Sequence, residues 1–216
     1  MIIQPYEHEH LKMIPFVLGF ISNNSYALYD DRTNDCIVID PSLHFDEVLL
    51  KLDEKGLRPR DFWLTHGHFD HYIGTGEKAV LERGIPAHMH PLDQPLYESG
   101  GVSLRAPLPQ MKFCPQPVTD LEDGKILKVG AYEFQVLHTP GHAPGHCCFY
   151  CAEAGWLFSG DLIFYHTYGR TDIFQSCEAD LFRSLREKVL TLPEDTLIFP
   201  GHEEFTRVGE EKMMYA

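Results

Sequence analysis

A dense group of histidines with one aspartate, close to residue 70, is the strongest chemical signal in this sequence. Residues 65–71 read Thr-His-Gly-His-Phe-Asp-His and follow a short apolar run. Neutral imidazole and carboxylate groups are the usual ligands of hydrolytic zinc sites. In a turn after a strand, His66 and His68 can point to one side, and Asp70 and His71 to another. This spacing predicts two metal ions, each held by one pair; the alternative is a chance group of solvated histidines.

Three further segments carry possible ligands at the ends of strand-like runs. Residues 138–146 read His-Thr-Pro-Gly-His-Ala-Pro-Gly-His, residues 159–161 read Ser-Gly-Asp, and residues 200–202 read Pro-Gly-His. Each segment contains a glycine, which permits a tight turn and a close approach of the backbone. Four strand ends that direct donors the same way predict one active-site edge, which a chance group of solvated histidines does not explain.

Taken in order, these motifs resemble those of the metallo-β-lactamase superfamily: His-x-His-x-Asp-His, Pro-Gly-His, Gly-Asp and Gly-His. The resemblance runs from about Gly19 to Glu211. It implies a first metal ion held by His66, His68 and His142, and a second held by Asp70, His71 and His202, with Asp161 bridging both. It also implies a cofactor of two zinc ions per chain, with iron or manganese possible at one or both sites.

The implied metal pair defines a reaction class. Zinc lowers the pKa of bound water from about 15.7 to about 7, so that a hydroxide exists at neutral pH without a serine or cysteine nucleophile. Two ions about 3.5–4 Å apart can share this hydroxide and polarise a substrate carbonyl. We therefore predict hydrolysis of an acyl compound by a metal-bridging hydroxide. The resemblance gives Asp70 a catalytic role as well, because its carboxylate can orient the hydroxide by accepting a hydrogen bond.

The region after the third motif narrows the choice within the superfamily. Class B β-lactamases lack the bridging aspartate and are exported, whereas this chain has Asp161 and no secretory signal. Residues 169–172, Gly-Arg-Thr-Asp, together with the later motifs are similar to small glyoxalase II-like (hydroxyacylglutathione hydrolase-like) enzymes. These enzymes hydrolyse thioesters such as S-lactoylglutathione, so the predicted partner is a small-molecule thioester. The chain ends at Ala216, and we expect the C-terminal helical domain of full-length glyoxalase II to be absent, which leaves the thiol carrier open.

Two other functions remain open. Persulfide dioxygenases share the fold and a Gly-Arg-Thr-Asp-Phe-Gln run, which is one residue longer here, Gly-Arg-Thr-Asp-Ile-Phe-Gln. Their single iron would be held by His66, His142 and Asp161, a facial triad with open positions for oxygen and a sulfur substrate. The third possibility is a metal-binding protein without turnover. The metal that purifies with the protein, zinc or iron, distinguishes the first two functions.

The composition limits the partners and the compartment. A chain of 216 residues that is 44% hydrophobic fits one domain spanning 1–216. The formal charge of −14, without a basic patch, disfavours nucleic acid. The N-terminus lacks a secretory pattern, and no apolar stretch has membrane-spanning length. Together with six cysteines that fit reduced thiols, these features predict a cytoplasmic protein without a membrane partner, whose oligomeric state is open.

The apolar pattern repeats one plan in the two halves of the chain. We predict strands at 16–20, 26–29, 36–39, 62–65, 85–90, 125–129, 132–138, 147–151, 156–158 and 196–199. Helices are predicted around 45–52, 77–83 and 181–189. Strands followed by a helix, twice over, predict the α/β (α+β) class and a four-layer αββα sandwich, as the resemblance also implies. The Pro-rich segment 91–117 is predicted to be a loop over the site or a surface excursion.

Several residues near the motifs receive more limited predictions. Tyr165, His166 and Tyr168 lie just beyond the third motif, where relatives contact substrate, and are candidate substrate-binding residues. His146 is expected to form hydrogen bonds within its Pro-Gly loop rather than to bind metal. The pair Cys148 and Cys151, written Cys-x-x-Cys, lies in a strand-like run, where residues three apart face opposite sides. These two cysteines are therefore expected to be buried small hydrophobic residues.

Overall fold

The alternation of apolar side chains along the strands determines how the sheets pack. The computed structural model describes residues 5–101 and 109–215, which form two large β-sheets with helices on their outer faces. This arrangement confirms the predicted four-layer αββα sandwich of the α/β (α+β) class.

The first sheet has seven strands, and sequential strands are neighbours throughout. The first four strands pair antiparallel, and the last three add to them in parallel. The strands are β1 (Tyr6–His8), β2 (Leu11–Leu18), β3 (Asn23–Asp30), β4 (Asp35–Ile39), β5 (Arg58–Trp63), β6 (Ala87–Met89) and β7 (Val118–Thr119).

The second sheet has six strands, β8 (Ile126–Val129), β9 (Tyr132–His138), β10 (Cys147–Cys151), β11 (Trp156–Gly160), β14 (Leu197–Pro200) and β15 (Thr206–Arg207). Their order across the sheet is β15-β14-β11-β10-β9-β8. All neighbours are antiparallel except β11 and β14, which run parallel. A small separate hairpin consists of β12 (Ile163–Phe164) and β13 (Thr167–Tyr168).

The main apolar layer lies between the sheets. It takes side chains from both inner faces, including Met13, Tyr26, Ile37, Phe134, Phe149 and Phe158. In β10, Phe149 and Cys151 face this layer, whereas Cys148 faces the outer layer, so the predicted opposite orientation of Cys148 and Cys151 is confirmed. Both thiols are buried, and burial raises the pKa of Cys148 to about 12.

The helices cover the outer faces with the apolar residues that recur at helical spacing. Helix α1 (Phe45–Glu54) buries Phe45, Val48, Leu49 and Leu52 against the first sheet, and each fully buried side chain of this kind stabilises the fold by about 1.5–3 kcal/mol. Helix α5 (Glu178–Ser184), extended by a π-helical turn at Leu185–Val189, covers the second sheet. The remaining α-helices are α2 (Phe69–Tyr72), α3 (Lys78–Arg83), α4 (Gln94–Glu98) and α6 (Val208–Tyr215), and short 3-10 helices form at Ile73–Gly76, Pro91–Asp93 and Pro109–Phe113.

Several elements differ from the sequence prediction. Strand β5 begins at Arg58 and ends at Trp63, so Thr65 lies in the loop after it. Strand β1 and helix α6 were not predicted, since β1 is short and α6 buries only Val208 and Glu211. In the segment predicted to be irregular, α4 forms and residues 102–108 lie outside the described residues.

Candidate metal centre

All seven predicted ligands lie just beyond strand ends, and the fold brings them to one edge of the sandwich. His66 and His68 occupy the loop after β5, and the next turn of chain is helix α2, which carries Asp70 and His71. The remaining three follow strands of the second sheet: His142 after β9, Asp161 after β11 and His202 after β14. Residues from both sheets therefore build the site, and six of the seven are buried.

The donor atoms form three overlapping groups of three, one of them His66, His71 and Asp161, and the other two match the predicted ligand sets. The nitrogens of His66, His68 and His142 lie within 4.8 Å of one another, and so do donor atoms of Asp70, His71 and His202. In the first group, His68 Nδ1 and His142 Nε2 are 2.9 Å apart. In the second, Nε2 of His71 and of His202 each lie 3.3 Å from Asp70 Oδ2.

Asp161 lies between the two groups. Its Oδ2 is 3.5 Å from His142 Nε2 in the first group and 3.6 Å from His202 Nε2 in the second. Its Oδ1 is 3.4 Å from His71 Nε2. This central position is the one that a bridging carboxylate needs.

Unsatisfied buried atoms point towards the middle of the cluster. Among the described residues, His66 Nε2, His71 Nε2 and Asp161 Oδ1 are buried and lack a hydrogen bond of acceptable geometry. Buried polar atoms are almost always hydrogen-bonded, and each exception calls for an explanation. Bound metal ions would satisfy all three atoms, so the residues present fit a metal centre of histidine and carboxylate ligands.

Hydrogen bonds on the far side of the imidazoles leave their inward nitrogens free to bind metal. Asp40 Oδ2 accepts from His71 Nδ1 at 2.9 Å and from Thr65 Oγ1 at 2.7 Å. Because that hydroxyl donates to Asp40, it accepts from His66 Nδ1, 3.0 Å away. His142 Nδ1 donates to the carbonyl of Arg170 at 3.0 Å. In all three rings Nε2 is therefore the nitrogen that faces the cluster.

The structure confirms the expected role of His146. Its Nε2 accepts a hydrogen bond from the backbone N–H of Asp161 at 3.1 Å, and its Nδ1 lies 2.9 Å from Thr139 Oγ1. Both ring nitrogens of His146 are used in hydrogen bonds, and through Nε2 the ring supports the Asp161 turn.

Sequence reasoning missed three supporting residues. Asn23, the first residue of β3, donates through Nδ2 to Asp70 Oδ2 at 2.8 Å and forms a β-bridge with His202. Asp40 directly follows the apolar strand β4, which is the same signal that marked the four motifs. The third supporting residue is Asp93. Neither Asn23 nor Asp93 has a comparable signal in the nearby sequence, because their hydrogen-bond partners are distant in the chain.

Burial and charge make the two groups electrostatically different. Burial lowers the pKa of His66 well below its usual value, and burial together with His142 lowers that of His68 to about 3. Burial acts the same way on His71, but the carboxylates around it, Asp161 first, raise its pKa well above the usual value. The pKa values of the histidines are therefore lowered in the first group, whereas the carboxylates of the second group raise the pKa of its buried imidazole.

A cavity of about 600 Å³ opens over the cluster. Its walls are mainly apolar side chains from several loops and the small hairpin: Ile21, Phe69, Phe164 and Ile173. Tyr168 and Arg170 also line it, and Arg170 pairs with Asp172 in an exposed ion pair at 2.8 Å. Of the three candidate substrate-binding residues, Tyr168 reaches the cavity. Tyr165 packs against His166, and neither lines the cavity.

Part of the segment 91–117 lies against the site. Gly101 lines the cavity, and Asp93 accepts hydrogen bonds from two of the ligand-carrying loops. The described part of the segment is therefore more than a surface excursion.

Comparison with known proteins identifies the family. Residues 18–202 match the model of the metallo-β-lactamase superfamily. The chain is 34% identical over 206 residues to hydroxyacylglutathione hydrolase GloC of Haemophilus influenzae, covering 94% of this chain and 95% of that protein. It is 32% identical to the mitochondrial persulfide dioxygenase ETHE1 of Homo sapiens, covering 83% of this chain and 63% of that protein.

A solved structure agrees with this assignment. TTHA1623 in a di-iron-bound form superposes with a TM-score of 0.77 at 36% identity, covering 93% of this chain and 97% of that chain. The chain therefore belongs to the metallo-β-lactamase superfamily, and its described residues include a His/Asp cluster that could hold metal ions. None of the described helices is long and apolar enough to cross a membrane.

Proposed function

We propose that this protein is a metal-dependent thioester hydrolase of the hydroxyacylglutathione hydrolase type. One observation carries the proposal: two complete groups of three donors meet at Asp161, which lies within 3.6 Å of both. In this proposal His66, His68 and His142 hold one ion, and Asp70, His71 and His202 hold the other. Zinc suits these ligands, and iron is the alternative because a similar protein binds two iron ions.

The proposed chemistry divides between the ions and the chain. When bound, the two ions supply a hydroxide at neutral pH and polarise the thioester carbonyl. Asp70 is held ionised, because its neighbours, His71 first, outweigh burial and lower its pKa well below the usual value. Its carboxylate can therefore accept a hydrogen bond from the attacking water and orient it. Asn23 fixes this carboxylate through the 2.8 Å hydrogen bond to Oδ2.

The cavity walls hold the substrate in the proposed reaction. Phe69 and Phe164 keep bulk water away from the reacting carbonyl, which strengthens electrostatic interactions there. Tyr168 and Arg170 are the polar groups best placed to contact the acyl group or the carrier. The similarity to GloC supports a glutathione thioester as the first substrate to test.

A second candidate, persulfide dioxygenase activity, is favoured by the similarity to ETHE1. The three donors of the corresponding mono-iron site, His66, His142 and Asp161, all belong to the cluster. This function uses one iron ion and consumes dioxygen, so it differs from hydrolysis in two measurable quantities.

Metal analysis and two assays test the proposal together. Purified protein is analysed for metals, assayed for thiol release from glutathione and coenzyme A thioesters, and assayed for oxygen uptake with glutathione persulfide. We expect about two ions per chain and release of thiol from S-lactoylglutathione without oxygen uptake. One iron per chain with oxygen uptake and no thiol release would replace the hydrolase with the dioxygenase. Bound metal without either activity would indicate a metal-binding protein.

A further inference from the structure

A buried carboxylate outside the ligand set connects the two loops that carry the three-histidine group. Asp93 is 0% exposed and lies immediately before helix α4. Its Oδ2 accepts a hydrogen bond from the backbone N–H of Gly67 at 2.9 Å, and its Oδ1 accepts one from Gly145 at 2.5 Å. Gly67 separates His66 from His68, and Gly145 lies in the loop that carries His142.

The two glycines allow this contact because both loops press directly on Asp93. A Cβ at Gly67 would lie 3.0 Å from the carbonyl oxygen of Asp93, and a Cβ at Gly145 would lie 2.7 Å from its backbone nitrogen. The 2.7 Å distance is shorter than real Cβ contacts, so any larger residue at position 145 would push a loop away, whereas at position 67 the neighbour would have to shift by a few tenths of an ångström. Close approach thus requires glycine at position 145 and leaves little room for a side chain at position 67.

The contact spans the two sheets. The loop with Gly67 follows β5 of the first sheet, whereas the loop with Gly145 joins β9 and β10 of the second. One backbone hydrogen bond, from Cys147 N to Thr65 O at 2.8 Å, also joins these loops, at a greater sequence distance from His142. Asp93 is the side chain that ties both loops through the residues next to the ligands.

We propose that Asp93 is a positioning residue that sets the separation of His66 and His68 from His142, and thereby the metal affinity of the three-histidine site. The proposal rests on the proposed two-metal assignment. Asp93 acts through Gly67 and Gly145, and among the described contacts it forms no hydrogen bond with Asp70, His71 or His202. Its effect is therefore confined to one of the two sites.

The test variant is Asp93→Asn, which keeps the size and shape of the side chain. The asparagine side chain accepts hydrogen bonds only through its oxygen. Its NH2 group would therefore face the backbone N–H of one of the two glycines, and two donors cannot form a hydrogen bond. Loss of a partner that orients metal ligands typically weakens metal binding by about 10–100-fold. In titrations of the apo-protein with zinc against a competing chelator, we expect one binding step to weaken by about this factor and the other to change less than about threefold.

The matched control is Asp30→Asn. Asp30 is also 0% exposed and accepts hydrogen bonds from two backbone amides, Arg32 N at 3.0 Å and Ala131 N at 3.3 Å, and among the described residues it differs from Asp93 in also pairing with an arginine side chain, that of Arg32. It lies at the opposite end of β3 from Asn23, roughly 23 Å along the strand. This variant should destabilise the fold without altering either zinc-binding step, so an equal loss in both variants would make Asp93 a purely structural residue.

A second background assigns the weakened step to its site. His202→Ala should remove the step of the second group and leave the three-histidine step. In that background Asp93→Asn should weaken the remaining step by the same factor of about 10–100. If the wild-type protein binds fewer than two zinc ions, the metal assignment fails. If it binds two and Asp93→Asn changes neither affinity, the positioning role alone is wrong.

Hydrogen exchange of the wild-type apo-protein keeps the proposal testable even if the variant does not fold. The amides of Gly67 and Gly145 should both exchange slowly, since each donates to the buried carboxylate. Exchange of either amide at the rate of an unprotected loop overturns the proposal.

Discussion

The contact between Asp40 and His71 gives the sharpest prediction for the second group of donors. The substitution Asp40→Asn is the suitable perturbation because Asp40 has φ 51°, in the left-handed region. Apart from glycine, asparagine and aspartate are the residues that adopt this region most readily. The backbone should therefore keep its course, and the variant should report on the side chain alone.

The size of the effect follows from the hydrogen bonds that are lost. Asparagine can still accept from Thr65 N through one oxygen, but its NH2 group takes the place of Oδ2, which accepts from His71 Nδ1 at 2.9 Å and from Thr65 Oγ1 at 2.7 Å. A hydrogen bond to a charged group contributes about 1.5–3 kcal/mol. At about 1.4 kcal/mol per tenfold change, the loss corresponds to roughly 10–100-fold in affinity.

Zinc titration against a chelator measures this effect at each site. We expect the step assigned to Asp70, His71 and His202 to weaken by roughly 10–100-fold. The three-histidine step should change less, since only the indirect contact through Thr65 to His66 is disturbed. Asp30→Asn again provides the control for loss of a buried carboxylate. Two unchanged binding steps in a folded Asp40→Asn protein would refute the argument that Asp40 orients His71.

The bridging position of Asp161 and the unequal charges of the two groups give two further predictions. Asp161→Ala should lower metal content at both sites and abolish most thioester hydrolysis, whereas Asp172→Ala should retain both, because its ion pair with Arg170 is exposed. Metal analysis that finds two ions in Asp161→Ala would contradict the bridging role. Burial lowers the pKa values of His71 and His202, but Asp161 raises them, and the net effect is a raised pKa for both. These imidazoles therefore keep their protons to higher pH, and zinc must displace those protons in order to bind. As the pH falls below the usual histidine pKa of 6.5, binding at that site should weaken by up to about 100-fold per pH unit, because two protons must be displaced, while the three-histidine site, whose pKa values are lowered by burial, should change less. Parallel pH dependence of both steps would contradict this difference.

The sequence predicts which side chains cluster at the candidate metal centre, because their signals are local. Each motif follows an apolar strand and contains a glycine, and both features are visible within a few residues. The layers of the sandwich were predictable for the same reason, since Phe45, Val48, Leu49 and Leu52 recur at helical spacing and are buried as expected. Periods of two and of 3.6 residues survive in the sequence whatever the tertiary contacts are.

Two of the three supporting residues, Asn23 and Asp93, could not be predicted because their partners are distant in the chain. Asn23 donates to Asp70, 47 residues away, and Asp93 accepts from Gly145, 52 residues away. An asparagine at the start of a strand and an aspartate before a short helix have common structural roles, and nothing nearby distinguishes them. Helix α6 was missed for a different reason: it buries few residues and therefore shows little apolar periodicity.

The ligands and their supports together explain why the two-metal function is proposed over the mono-iron one. The mono-iron donors, His66, His142 and Asp161, form a subset of the cluster, so their presence fits both functions. The second group is different, because the mono-iron function does not use its donors, and yet each of them has a supporting contact. Asn23 holds the Asp70 carboxylate and bridges the His202 backbone, and Asp40 holds the His71 ring. These contacts, which come from the starts and ends of neighbouring strands, direct three further donors to a common point beside Asp161, and this arrangement supports the proposed second metal ion.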